Sequence, residues 1–237
     1  MKARTWFSII LMSPLVFAAA QDIPHLRKQG TATQLIVDGK PFLALSGELL
    51  NNSATSLEYM KPVWPKLVET NLNSVVAGVS WAQIEPQEGK FDFSVPDGVI
   101  QEARSHNLRL ILIWFASWKN GLSSYPPDWL KKDFERFPRI QLAGGKSIEL
   151  LSTLSAANRD ADARAFAALM RHVKEVDGQQ HTVILIQVEN EVGVLGDSCD
   201  RSPATNRQVL VGATVLIQSV KSQYPQVWLA ETCGHGF

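Results

Sequence analysis

The sequence predicts an α/β fold whose strands close toward a barrel, on three observations. Apolar runs recur along the chain, separated by stretches with helical spacing. These runs lack the polar alternation of a half-exposed strand, so they read as strands buried on both faces, as in a parallel sheet under crossover helices. Polar and aromatic residues gather at the C-terminal ends of successive runs, which a closed barrel makes converge, so a barrel is favoured over a doubly wound open sheet.

Residues 1–20, MKARTWFSIILMSPLVFAAA, place Lys2 and Arg4 before an apolar run from Trp6 to Phe17 and end in Ala18 to Ala20. That is the layout of a secretory signal peptide, and the run is shorter than the roughly 20 residues a membrane-crossing helix needs. Export to a periplasm or the extracellular space is therefore expected, without stable membrane insertion, and residues 21–237 form one domain. In TQLIVDGKPFLALSGEL, two short strands flank the Asp38-Gly39 turn, the second ending at Ser46, Gly47 and Glu48. Leu57 to Thr70 has helical spacing, with Met60, Val63, Trp64, Leu67 and Val68 on one stripe. Pro62 and Pro65 fit only a first turn, so that helix is expected to start after residue 60.

LNSVVAGVSWAQIEP is the next strand, ending in Trp81, Gln83 and Glu85, and a helix is expected from Val95 to His106. LRLILIWFASWKN is a further strand with a polar and aromatic end. A long excursion over residues 119–157 precedes the amphipathic helix ADARAFAALMRHVKEVDG and the strand HTVILIQVENEVG. Asn206 to Ser222 forms another helical stretch, followed by a strand at Val227 to Ala230.

Composition excludes several functions. With 23 basic and 23 acidic residues, no overall field draws nucleic acid or an anionic membrane. No G-x-G-x-x-G follows the first strand and no Walker lysine loop occurs, which argues against nucleotide binding. His106 and His181 stand before strands, away from the polar strand ends, and are expected as surface residues; no metal-ligand spacing occurs, so neither metal nor cofactor is expected. Cys199 and Cys233 are the two cysteines, and export permits a bond between them without showing that they come within reach.

The carboxylates at the strand ends point to glycosidic bond cleavage. This chemistry needs one protonated carboxyl to protonate the leaving oxygen and a second carboxylate to attack or to activate water, about 5 to 5.5 Å apart in the retaining version. Glu191 is the candidate acid, since burial at a strand mouth and a neighbouring carboxylate both disfavour charge. Asn190 offers an acceptor and donors for a sugar hydroxyl. Side chains at i and i+2 share a face of a strand, so Glu189 is expected to point as Glu191 does, in support of it. Side by side, the two approach one face of a sugar, which argues against their forming the catalytic pair. Trp81, Trp114 and Trp118 each read singly as core; beside carboxylates and amides at three strand ends, they resemble a sugar cleft.

IQVENEVG resembles the acid/base segment of glycoside hydrolase family 35, a beta-galactosidase family of retaining glycosidases on TIM-type (β/α)8 barrels. SWAQIEPQEGKFDF resembles that family's second-strand segment, and LILIWFASWKNG its third, with Ser117 where many members carry glutamate. LALSGEL is similar to its first-strand segment but lacks the usual His-Tyr, and Gly78 replaces a tyrosine often found three residues before the tryptophan at 81. The pattern fits a divergent bacterial branch. The resemblance implies Glu191 as general acid/base, Asn190 on the sugar 2-hydroxyl, and Trp81, Glu85, Trp118 and Asn120 as further substrate-binding positions, with Glu85 in a structural part of that mouth. It implies a beta-galactoside or related oligosaccharide as partner. The family's nucleophile is a glutamate on the seventh barrel strand, which would fall past Phe237; Glu231 lies only on the next strand after Glu191. The chain thus reads as the N-terminal half of a barrel, or slightly more, inactive alone. The alternative is a noncatalytic carbohydrate-binding remnant.

Overall fold

A computed structural model describes residues 23–207 apart from Thr153 and Ser198. The expected signal peptide, most of the helix from Asn206 to Ser222, the strand at Val227 to Ala230, Glu231 and Cys233 lie outside the described residues.

The chain enters through an antiparallel hairpin of β1 (His25–Gln29) and β2 (Ala32–Val37), with β3 (Lys40–Pro41) added to β2. Asp38 and Gly39 have φ of 49° and 75°, the paired positive values a two-residue hairpin turn uses. The expected second strand is two: after β3 the chain leaves the hairpin, and β4 (Ser46–Glu48) pairs in parallel with β5 (Ser74–Ser80). The helix expected as one piece is also two, α1 (Leu57–Met60) and α2 (Val63–Glu69). Ser56 caps α1 by accepting the Tyr59 N–H, so helix begins before residue 60, while Pro62, lacking an N–H, marks the break.

β5, β6 (Arg109–Phe115) and β9 (Val183–Val188) continue the parallel sheet in the order β4-β5-β6-β9. After β5 the chain does not extend to Glu85 but coils into the one-turn α3 (Trp81–Ile84), then α4 (Ser94–Ser105) returns it to β6. The excursion holds α5 (Asp128–Lys131) and an antiparallel pair, β7 (Arg139–Gln141) with β8 (Ser147–Leu151). α6 (Ala156–Asp177) then leads to β9, and Ser155 caps it on the Asn158 N–H. Val99 and Ala103 of α4 and Ala161, Ala165 and Leu169 of α6 pack in one core cluster with Val75, Ala77, Leu110 and Leu112 of the sheet. The i, i+4, i+8 spacing on α6 supplies that stripe, and its alanines permit close approach.

The N-terminal end of the sheet is tied by charge. Arg109 donates to Asp38 at 2.5 Å and to the carbonyls of Gln180 and His181, while Asp177 accepts from Arg104 and from the Val183 N–H, both at 2.7 Å. His181, expected at the surface, is buried here with Nδ1 3.1 Å from Asp38. The sequence showed its place before a strand but not the hairpin turn that covers it. His106 stays partly exposed, stacked on Trp64.

Candidate active site

The C-terminal ends of β6 and β9 meet, and the residues that follow them form the site. β9 ends at Val188, and the chain then takes left-handed backbone at both Glu189 (φ 62°) and Glu191 (φ 46°). Such conformations cost a non-glycine residue about 1–2 kcal/mol each, so their persistence needs side-chain anchors. They also defeat the i, i+2 reading, because neither residue is extended: Glu189 and Glu191 point different ways.

Glu189 turns inward. Its carboxyl accepts the Trp118 N–H at 2.9 Å and the Ser117 N–H at 3.2 Å, and it is hydrogen-bonded to Asp162 of α6. Asp162 in turn accepts the indole N–H of Trp114 at 2.8 Å, the Ser117 N–H at 3.2 Å and the Ser117 hydroxyl. Burial pushes the Glu189 carboxyl up to about 9, the neighbouring Asp162 adds to this, and the two backbone donors oppose it. Burial and Asp162 thus push the Glu189 carboxyl toward its protonated form.

Glu191 turns outward, its side chain 61% exposed, and pairs with Lys119 Nζ at 3.1 Å. The burial expected at Glu191 is found at Glu189 instead, because the turn after Val188 swings the second carboxylate clear of the sheet. Lys119 is itself buried along its stem, crosses the Phe115 ring with its ammonium 5.3 Å from the centroid, and also donates to the Asn120 side chain. Asn120 is exposed and left-handed at φ 52°. Asn190 accepts from Gln187 Nε2 at 2.8 Å. Lys119 thus bridges Asn120 and Glu191, and Asn190 precedes Glu191 on the same turn.

Trp81, expected to face substrate, does not, and Glu85, expected in a structural part of a substrate-binding mouth, reaches no substrate surface: both are 0% exposed. Glu85 accepts the Trp81 indole N–H at 2.8 Å, the Gly89 N–H at 2.7 Å and Arg164 at 3.1 Å, so it latches α3 and the next turn to α6. The i, i+4 contact became available only when residues 81–84 coiled. Trp118 is also buried, packed on Ile140 and Leu150 with its indole N–H on the Leu151 carbonyl at 3.2 Å. It lines a cavity of about 300 Å³ together with Phe166, Val188 and Val192, beside Glu189 and Asp162. Gly78 has a steric reason, since a Cβ there would run into the Phe115 ring. Sequence reasoning missed Lys119 and Asp162. The charge in WKNG marked the first; the second lay unmarked in an amphipathic helix.

A family profile described as beta-galactosidase, that of glycoside hydrolase family 42, matches residues 57–228. The chain belongs to glycoside hydrolase family 42. This corrects the likeness to family 35: the strand-end motifs are too short to separate the two families. Among relatives of this family 42 chain, a beta-galactosidase of Xanthomonas manihotis is 30% identical over 87% of the chain and 32% of its own length. Beta-galactosidase 14 of Arabidopsis thaliana is 25% identical over 81% of the chain and 21% of its own. The chain therefore spans about a third or less of the length of these relatives. A Bacillus circulans beta-galactosidase structure superposes with a TM-score of 0.58 at 17% identity, covering 80% of the chain and 27% of that structure. The catalytic domain of a Paenibacillus polymyxa beta-amylase gives 0.54 at 11% identity, over 81% and 52%. At such identities the likeness concerns the fold, and the four parallel strands with their helices are part of a TIM-type barrel.

Proposed function

We propose that this chain carries the acid/base half of a retaining beta-galactosidase-type site. Glu191 protonates the leaving glycosidic oxygen and later deprotonates the attacking water, and Asn190 holds the sugar 2-hydroxyl through its amide. The nucleophilic carboxylate lies outside the described residues, and turnover by the chain alone is not expected. The observation that carries this reading is the placement of Asn190 and Glu191 at the end of the fourth parallel strand, beside Lys119 and Asn120 from the third. Exposure suits Glu191 to the role, because a general acid/base must reach both the leaving group and water.

Titration of the purified chain with galactose and small beta-galactosides, followed by calorimetry, tests the sugar site. Binding is expected, weakened in Asn190→Ala; a flat titration of folded protein refutes it. An aryl beta-galactoside assay tests the division of labour, and turnover that disappears in Glu191→Gln would overturn the view that the nucleophile lies elsewhere. Retention of stereochemistry and terminal beta-galactosides as substrates belong to the same proposal. So does export, which predicts a mature N-terminus near Gln21 in material recovered outside the cytoplasm, and recovery of intact Met1 there would contradict it.

A further inference from the structure

The turn that carries Asn190 and Glu191 has no regular structure to hold it. It follows the last residue of β9, contains two left-handed non-glycine residues, and exposes the side chain on which the proposed chemistry depends. Its polar anchor among the described residues is Glu189. That side chain reaches across to β6 and takes the N–H groups of Ser117 and Trp118, the two residues immediately before Lys119 and Asn120. The same Ser117 N–H is shared with Asp162, 3.2 Å away on each side.

Two ionised carboxylates do not settle around one N–H donor, because their repulsion in a partly dry site exceeds what a shared proton donor returns. Among the described residues, no cation relieves them. Lys119, from the loop after β6, is engaged with Glu191 and Asn120; Arg159, on the same face of α6, pairs with Asp160; and no ion pair among the described residues includes Asp162 or Glu189. Glu191, on the turn itself, points to Lys119.

We infer that Glu189 and Asp162 form a positioning pair, two carboxyl groups holding one proton between them, which clamps the Asn190-Glu191 turn to the end of β6. Glu189 donates that proton to Asp162, and its oxygens receive the Ser117 and Trp118 N–H groups. Asp162 is fixed by Trp114 and Ser117, so the clamp has a rigid side on α6 and β6 and a movable side on the turn. Loss of the proton places two negative charges in contact and releases the movable side. The functional meaning of this clamp rests on Glu191 being the acid/base, but its existence does not.

The test uses the purified chain without any sugar. Hydrogen exchange at pH 6 is followed in the segments covering residues 117–122 and 189–194, and melting midpoints are measured from pH 5 to pH 10. Glu189→Gln keeps an oxygen for the Trp118 N–H and an N–H for Asp162, so at pH 6 it should exchange like wild type in both segments and melt no lower than wild type. Wild type should lose melting temperature as pH rises toward 10, and Glu189→Gln should lack that loss. Glu189→Ala should exchange at least ten-fold faster in both segments. Identical pH profiles for wild type and Glu189→Gln overturn the shared proton, and unchanged exchange in Glu189→Ala overturns the clamp. Where Glu189→Ala does not fold, the wild type and Glu189→Gln profiles decide. A failure of sugar binding or hydrolysis leaves all these readings intact, so the clamp and the proposed function fail separately.

Discussion

Glu85→Gln separates a structural carboxylate from a substrate-binding one. Every contact that Glu85 makes through its carboxylate is to a donor: the Trp81 indole at 2.8 Å, the Gly89 N–H at 2.7 Å and Arg164 at 3.1 Å. An amide in its place must turn its NH2 toward one of them. The less harmful choice keeps the oxygen on Gly89 and Arg164 and opposes NH2 to the Trp81 indole, losing a hydrogen bond to a charged group and leaving a buried N–H unpaired. Each of these effects is about 1–3 kcal/mol and they overlap, so about 3 kcal/mol is expected. The Arg164 attraction adds little, because that side chain is 41% exposed and solvent screens it. Against a total of about 5–15 kcal/mol for an ordinary domain, such a loss is plain in urea denaturation followed by tryptophan fluorescence. Where the variant is still folded, its affinity for galactose should equal that of wild type, since Trp81 and Glu85 reach no open surface. A stability loss below about 1 kcal/mol, or weakened sugar binding in the folded variant, would refute the argument.

Other outcomes follow from the same geometry. Glu189 holds its proton up to about 9 in the folded chain against about 4.5 when unfolded, so its contribution is complete below pH 4.5 and falls as pH rises through 9. The slope of unfolding free energy on pH from this group should be negative and at most about 1.4 kcal/mol per pH unit, measured by denaturant titration at several pH values. Gly78→Ala should destabilise by about 1–3 kcal/mol by overpacking the Phe115 ring, and Phe115→Leu in the same chain should recover part of the loss in thermal melts. Lys119→Met keeps the buried stem and removes a pair whose partner is exposed, so stability should change by less than about 1 kcal/mol. Calorimetry with galactose should nonetheless show weaker binding in that variant, because Asn120 and Glu191 lose their common tether.

The parallel strands were legible because β5 and β6 are buried almost throughout, and continuous apolar runs report such burial directly. The mouth was legible as far as residue type goes: Asn190, Glu191 and Asn120 do stand together at adjacent strand ends. The long excursion hid its own antiparallel pair, since β7 spans three residues and β8 five, too few to show a period. Trp81 and Trp118 illustrate the limit at the site, because a tryptophan beside carboxylates looks the same in sequence whether its ring covers a sugar or its N–H ties down a loop.

The sequence alone determined the alternation of β5, β6 and β9 with the long helices α4 and α6, the sheet's parallel character and the residue types available at its C-terminal end. Those are matters of local pattern, carried by apolar runs and by short motifs. Only the tertiary structure decided which carboxylate holds a proton and which meets solvent. Glu189 and Glu191 are two residues apart and chemically alike, but the left-handed turn sends one onto the backbone of β6 beside Asp162 and the other outward to Lys119. Protonation follows from burial and from neighbours brought together across the fold, and no spacing along the chain encodes either.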